Sequence, residues 1–239
     1  MKILVAVVTC QANKERADIQ RRTWAKDAAL YGIDVLFFVG GSQWYGAKPH
    51  EQQIGDTVYL PVLDDYEHLR HKTQAAFAWA VAVGYDWILK TDDDALVVPK
   101  NITVDPTKPY VGRYRGPSGI WREPRGGQTG AEIYGDQEKS FCSGLGYMVN
   151  KAAAWLIADA PDNGDWAEDR FAGQVLAQHG IKAQMDWRYI FWPYDFGRVE
   201  YYHNFVDRSL IVACQHGYTP GLIERLYAEY NEYGVLPRK

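Results

Sequence analysis

The feature that most constrains this chain is Asp92-Asp93-Asp94, three consecutive carboxylates between the apolar runs Trp87-Ile88-Leu89 and Ala95-Leu96-Val97-Val98. Short runs of branched and aromatic side chains read as buried strands. Acids held between two buried strands repel one another and lose hydration, so uncompensated burial would cost several kcal/mol or force protonation. A cation is therefore expected beside them, most simply a divalent metal carrying a phosphorylated ligand. The alternative is a solvated acidic turn, and the core strand on each side argues against it.

The rest of the chain gives these strands a setting. Ile3 to Val8 is predicted to be the first strand, Thr9 to Asn13 a loop, and Lys14 onward a charged helix. That order opens an α/β sheet in which ligands bind beyond the carboxyl ends of parallel strands. Asp34 to Val39 reads as a second strand ended by Gly40-Gly41, Ser42 to Gly55 as a polar loop, and Thr57 to Leu60 as a third strand closed by Pro61. A helix is expected from Asp64-Asp65 to about Val83, with Leu69, Thr73, Ala76, Ala80 and Val83 on one stripe and Gly84 as its stop.

Residues 101–140 are rich in Gly, Pro and Arg and lack periodicity, which inside a compact domain marks a functional or mobile run. Arg113, Arg115, Arg122 and Arg125, with Tyr114 and Trp121, either face an anionic or sugar acceptor or form a solvated loop. In Phe141 to Asn150, Gly144 and Gly146 lack Cβ, so the backbone can lie against a ligand or make a tight packing contact. Helices are expected over Lys151 to about Ala160, through Glu168 to His179, and from about Pro220. Tyr189 to Asp207 is crowded with aromatics, and Ile211 to His216 reads as a strand ending in histidine.

Composition removes several classes of function. A net charge of -4 gives no global field toward nucleic acid or an anionic membrane. No stretch approaches the roughly 18 apolar residues needed to span a bilayer. Cys10, Cys142 and Cys214 form no CxxC pair, which argues against a zinc site; they are expected reduced, each a small buried hydrophobe. The 9 Trp and 17 Tyr supply both core material and candidate sugar-stacking surfaces. No repeat, P-loop or GxSxG element is present.

Leu89-Lys90-Thr91-Asp92-Asp93-Asp94 resembles the DXD region of the β-1,3-galactosyltransferase and Fringe family of inverting glycosyltransferases. Further blocks follow in the family's order. Arg21-Arg22-Thr23-Trp24 resembles its R-x-T-W element, and Asp65 to Thr73 its D-x-Y-x-N-L-x-x-K-T block, with His68 in place of Asn. Cys142 to Tyr147 is similar to C-S-G-x-G-Y. Glu168, Asp169, Gly173, Leu176, Gly180 and Ile181 fall in register with E-D-V-x-x-G-x-x-L-x-x-x-G-I, although Arg170 replaces an apolar residue. Val212 to His216 resembles the V-H-x-x-x-P element.

The resemblance implies an α/β fold: a single GT-A type, Rossmann-like domain over residues 1–239, with a central, mostly parallel sheet flanked by helices. Residues 1–98 would be its nucleotide-binding half and 99–239 its acceptor-side half. It implies a UDP-sugar donor, a hydroxyl-bearing saccharide acceptor, a β-linked product and Mn2+, with Mg2+ as the weaker alternative. Asp94 and His216 would hold the metal, with His203 in reserve. Asp92 and Asp93 would reach the ribose and the donor sugar, Arg21 the nucleotide. Lys72 would either help neutralise the diphosphate or sit on the helix surface, while Gly144 and Gly146 would line the donor. Asp169 would be the general base and Glu168 its alternate. Golgi members of the family begin with a membrane anchor and this chain does not, so a cytosolic bacterial or viral enzyme is expected. Other readings are a viral transferase acting on nucleic-acid bases, supported by the Arg-rich segment and opposed by the acidic net charge; a nucleotidyl or phosphoryl transferase with metals at the acidic cluster; and a sugar-binding module without catalysis.

Overall fold

The computed structural model describes residues 1–41, 52–115, 140–191, 209, 211–215 and 221–235. Its strands are β1 (Ile3–Val8), β2 (Ile33–Gly40), β3 (Gln52–Ile54), β4 (Thr57–Leu60), β5 (Trp87–Asp92), β6 (Ala95–Val97), β7 (Tyr110–Arg115), β8 (Phe141–Asn150), β9 (Gln184–Met185), β10 (Tyr189–Phe191) and β11 (Ala213–Gln215). The α-helices are α1 (Lys14–Arg22), α2 (Leu69–Val83), α3 (Lys151–Asp159), α4 (Glu168–Gln178) and α5 (Leu222–Tyr233).

Eight strands form one sheet in the order β3-β4-β2-β1-β5-β8-β7-β9, and β10-β11-β6 form a second, smaller one. The central strands β4, β2, β1 and β5 are mutually parallel, while β8 runs antiparallel to both β5 and β7. Strand order reverses at β1: the chain passes outward to β2 on one side, then returns to place β5 on the other. The crevice beyond the carboxyl ends of such a pair is where open α/β sheets bind ligands. Val8 pairs with Asp92 across it, so the acidic triplet leaves the sheet at that point.

Both faces of the sheet are covered, which is why its strands are continuous apolar runs. Val5, Val7, Phe37, Trp87 and Leu89 pack on one face with Ile19, Trp24, Ile223 and Leu226. Leu4, Ala6, Phe38 and Ile88 pack on the other with Phe77, Ala80, Ala154, Phe171 and Val175. Helix α4 lies hard against β8. A Cβ built on Gly173 would collide with the Cβ of Phe141 and stand 2.7 Å from the carbonyl oxygen of Ser140. Gly173→Ala is therefore expected to cost about 1–3 kcal/mol of stability, measured as a lower denaturation midpoint. An unchanged midpoint would mean that α4 can stand off the sheet at no cost.

Two sequence expectations need correction. The helix predicted from Asp64 begins at Leu69, because Asp64 is engaged elsewhere: its carboxylate accepts from the backbone of Gln11 and of Gly40, both at 2.7 Å. The polar stretch up to Gly55 ends in a short strand, β3, paired with β4. Residues 110–115, which show no periodicity in the sequence but lie where the resemblance implies a strand pair, form strand β7 between β8 and β9, buried from Tyr110 to Arg113. Cys142 is buried as expected, whereas Cys10 is only half-buried. Among the described residues, no helix is long and apolar enough to cross a membrane.

Candidate active site

The three aspartates diverge. Asp92 closes β5 on the same face as Lys90, two residues earlier, as the alternation of a strand requires. The fully buried Lys90 ammonium donates to Asp92 Oδ1 at 2.7 Å, to the Gly144 carbonyl at 2.9 Å and to Glu168 Oε1. Asp93 turns to the opposite wall: its Oδ2 accepts from Thr9 Oγ1 at 2.7 Å and Asn13 Nδ2 at 2.9 Å, and its Oδ1 from Arg16 Nη1 at 3.2 Å. The turn itself is tethered by Gln20, whose amide donates to the carbonyls of Asp92 at 3.2 Å and Ala95 at 3.0 Å.

Asp92 and Asp93 thus receive protein cations, Lys90 and Arg16. Compensation is incomplete at Asp92. Lost hydration lifts its carboxyl to about 6 against the pull of Lys90, with Asp94 and Asp93 adding in the upward direction. Asp94 is half-buried and sits at the start of the segment leading into β6.

Across the crevice, α4 presents two adjacent acids in different surroundings. Glu168 is buried, receives Lys90 on one oxygen and Tyr147 Oη on the other at 3.0 Å, and is lifted to about 7, chiefly by burial. Asp169 is half-buried; Oδ2 accepts from the Gly144 amide at 3.0 Å and Oδ1 from the Arg170 amide at 2.8 Å. Gly144 sits between these groups. A Cβ there would stand 2.7 Å from Glu168 Oε1, 3.4 Å from Lys90 Nζ and 3.6 Å from Asp169 Oδ2. Its missing side chain makes room for the protein's own charges. Gly146 lies opposite Thr91 in the β5–β8 ladder.

Other expected residues are placed differently. Arg21 does not join the acidic turn: its guanidinium is bidentate on Asp56 at 2.8 and 2.9 Å, bonds Asp18 at 2.9 Å, and lies over the Phe37 ring. The α1 cation that reaches the turn is Arg16. Lys72 is buried, which excludes the helix-surface reading. It pairs with Asp64 at 2.6 Å and donates to the Thr9 carbonyl at 2.8 Å, bracing the loop after β1. Arg170, out of pattern in the sequence, turns outward onto Asp165 at 2.6 and 2.7 Å and leaves the core undisturbed.

Arg113, counted among the acceptor-facing arginines, is buried over the Trp187 ring at 5.1 Å. Trp121, Arg122, Arg125, His203 and His216 lie outside the described residues. Among the described residues, no group of three or more His, Cys, Asp or Glu side chains converges as a metal site. Sequence reasoning missed Thr9, Asn13, Arg16, Gln20 and Tyr147. Usable signals existed for Tyr147, which ends the C-S-G-x-G-Y-like block, and for Lys90, a lysine in step with Asp92 on a largely apolar strand.

Residues 14–110 match the model of a family described as Galactosyltransferase. Comparison with curated proteins gives no match. Among solved structures, galactosyltransferase LgtC in complex with donor and acceptor sugar analogs is similar at 12% identity and TM-score 0.50, covering 99% of this chain and 98% of that one. A glycosyltransferase involved in glycosylation of the major capsid of PBCV-1 aligns at 11% identity and TM-score 0.48, with 98% of each chain covered. The likeness to LgtC shows the fold, that of GT-A glycosyltransferases.

Proposed function

Starting from the membership of residues 14–110 in the galactosyltransferase family, we propose that this chain is an inverting, divalent-cation-dependent glycosyltransferase. It moves a sugar from a UDP-sugar to a saccharide hydroxyl and forms a β linkage. The observation that carries this reading is the juxtaposition, across Gly144, of the acidic turn ending β5 with Asp169 opening α4.

Glycosyl transfer accumulates negative charge on the leaving diphosphate while the sugar becomes oxocarbenium-like. Asp94 and His216 would hold Mn2+, or Mg2+, and the bound ion would stabilise that charge. Carboxylate and imidazole with open positions suit Mn2+. Support comes from the β6–β11 ladder, where Gln215 pairs with Ala95, the neighbour of Asp94, and His216 follows Gln215 in the sequence. Asp92, fixed by Lys90, faces the donor sugar. Asp93 acts on the nucleotide side indirectly, by fixing Thr9, Asn13 and Arg16.

Inversion needs a base on the face opposite the leaving group, and Asp169 takes the acceptor hydroxyl's proton. Glu168 is the structural acid, since both its oxygens already accept from Lys90 and Tyr147.

The test is release of UDP from UDP-galactose, UDP-N-acetylglucosamine, UDP-glucose and UDP-arabinose, with and without Mn2+. Mn2+-dependent UDP release from one of them, abolished by EDTA, is expected. Release of pyrophosphate or inorganic phosphate would replace this reading with nucleotidyl or phosphoryl transfer. No turnover of any donor would leave a sugar-binding module.

A further inference from the structure

We propose that Tyr66 and Trp166 form a stacking platform for a pyranose ring of the acceptor, an assignment that rests on the glycosyl-transfer reading above. The two side chains are among the most exposed large aromatics of the described residues, at 69% and 58%, and they touch each other, with ring centroids 6.0 Å apart and planes at 54°. They come from segments a hundred residues apart in sequence, so only the tertiary fold pairs them. The contact between them makes one continuous exposed aromatic surface rather than two scattered side chains.

Its position ties it to the reaction. Trp166 lies three residues before Asp169, just ahead of the first turn of α4. Tyr66 lies two residues after Asp64, which shares Lys72 with the Thr9 carbonyl, while the Thr9 hydroxyl holds Asp93. The pair therefore links the segment before the base to the segment bracing the donor-side loop.

The segments that carry the pair are braced. Asp162 accepts from Arg70 at 2.5 Å and from the Gly164 amide at 2.7 Å, and Arg70 is itself buried against the Phe171 ring. Asp165 accepts from the Ala167 amide at 3.1 Å, Arg170 at 2.6 Å and Gln174 at 3.0 Å. On the other side, Asp65 accepts from the His68 amide at 2.9 Å. These bonds anchor the backbone on both sides of Trp166 while its ring projects into solvent. A rigid apolar surface loses little entropy on binding. An aromatic face of this kind takes the C–H face of a pyranose, and Trp166 stands three residues before Asp169.

The test uses the full chain with UDP and Mg2+, which is diamagnetic, and saturation-transfer NMR with lactose and methyl β-galactoside as probes. Saturation of the protons on one pyranose face is expected with the wild type, lost in Trp166→Ala, weakened in Tyr66→Ala and restored in Trp166→Phe. Where a donor is turned over, acceptor KM should rise roughly tenfold or more in Trp166→Ala, with the Kd for UDP within about twofold of wild type. Equal saturation in wild type and Trp166→Ala, no saturation in the wild type, or a rise confined to donor KM would each overturn the acceptor platform. Because the NMR readout needs no turnover, its failure is separable from absence of UDP release, which would bring down the glycosyl-transfer reading itself. Both side chains are largely exposed, so truncation leaves the core intact.

Discussion

Asp169→Asn is expected to lower kcat for transfer by about 10^2- to 10^4-fold, the usual contribution of a positioned general base, while UDP binding in the presence of Mn2+ is retained. Asparagine keeps an oxygen that can accept from the Gly144 amide, so the contact between α4 and β8 survives. What it loses is the capacity to take a proton. Glu168→Gln is the companion measurement. Glu168 is buried and doubly engaged, so its loss should act mainly on stability. If Glu168→Gln abolished transfer in a folded protein and Asp169→Asn did not, the two acids would have to exchange roles.

The second large effect concerns Lys90. Its ammonium joins Asp92, the Gly144 carbonyl and Glu168 inside the protein. Lys90→Met leaves two carboxylates without their shared cation, and breaking a buried pair from one side costs about 3–5 kcal/mol. For a chain of this size the melting temperature should fall by on the order of 10 °C. The loss should depend on pH. Glu168 titrates ordinarily at 4.5 and is already held at about 7 in the fold; without Lys90 it moves higher still. The unfolded chain then releases its proton at lower pH than the folded one, so stability falls as pH rises between the two values. Lys90→Met should therefore be more stable at pH 5 than at pH 8. Adding Glu168→Gln should flatten much of this dependence and recover much of the lost stability, because a buried pair replaced on both sides leaves less charge stranded. Equal melting temperatures for Lys90→Met and wild type across that range would refute the network.

The fold was largely legible in the sequence because its signals are local. Strands β1, β2, β4 and β5 are apolar runs, with β2 closed by Gly, β4 by Pro and β5 by Asp, and α2 announces itself by its stripe and by Gly84, which takes the left-handed conformation, φ 96°, that ends the helix. Misreadings occurred where a distant group takes over a local signal. Asp64 looks like a helix start but serves Gly40 and Gln11. The arginine-rich stretch looks solvated, yet Arg113 lies beneath Trp187, more than seventy residues on.

From sequence alone came the position of the acidic triplet, the order of the elements around it and the spacing of motif-like blocks along the chain; these depend on neighbours a few residues apart. Which charges meet was settled by the tertiary structure. Lys90 finds Glu168 across 78 residues and Thr9 finds Asp93 across 84, and neither partner is written in the local pattern of the other. A carboxylate in a strand turn has the same sequence signature whether it faces a metal, a lysine or a hydroxyl. Desolvation makes each choice costly to leave unmet, but only the folding of the sheet brings the candidates within reach.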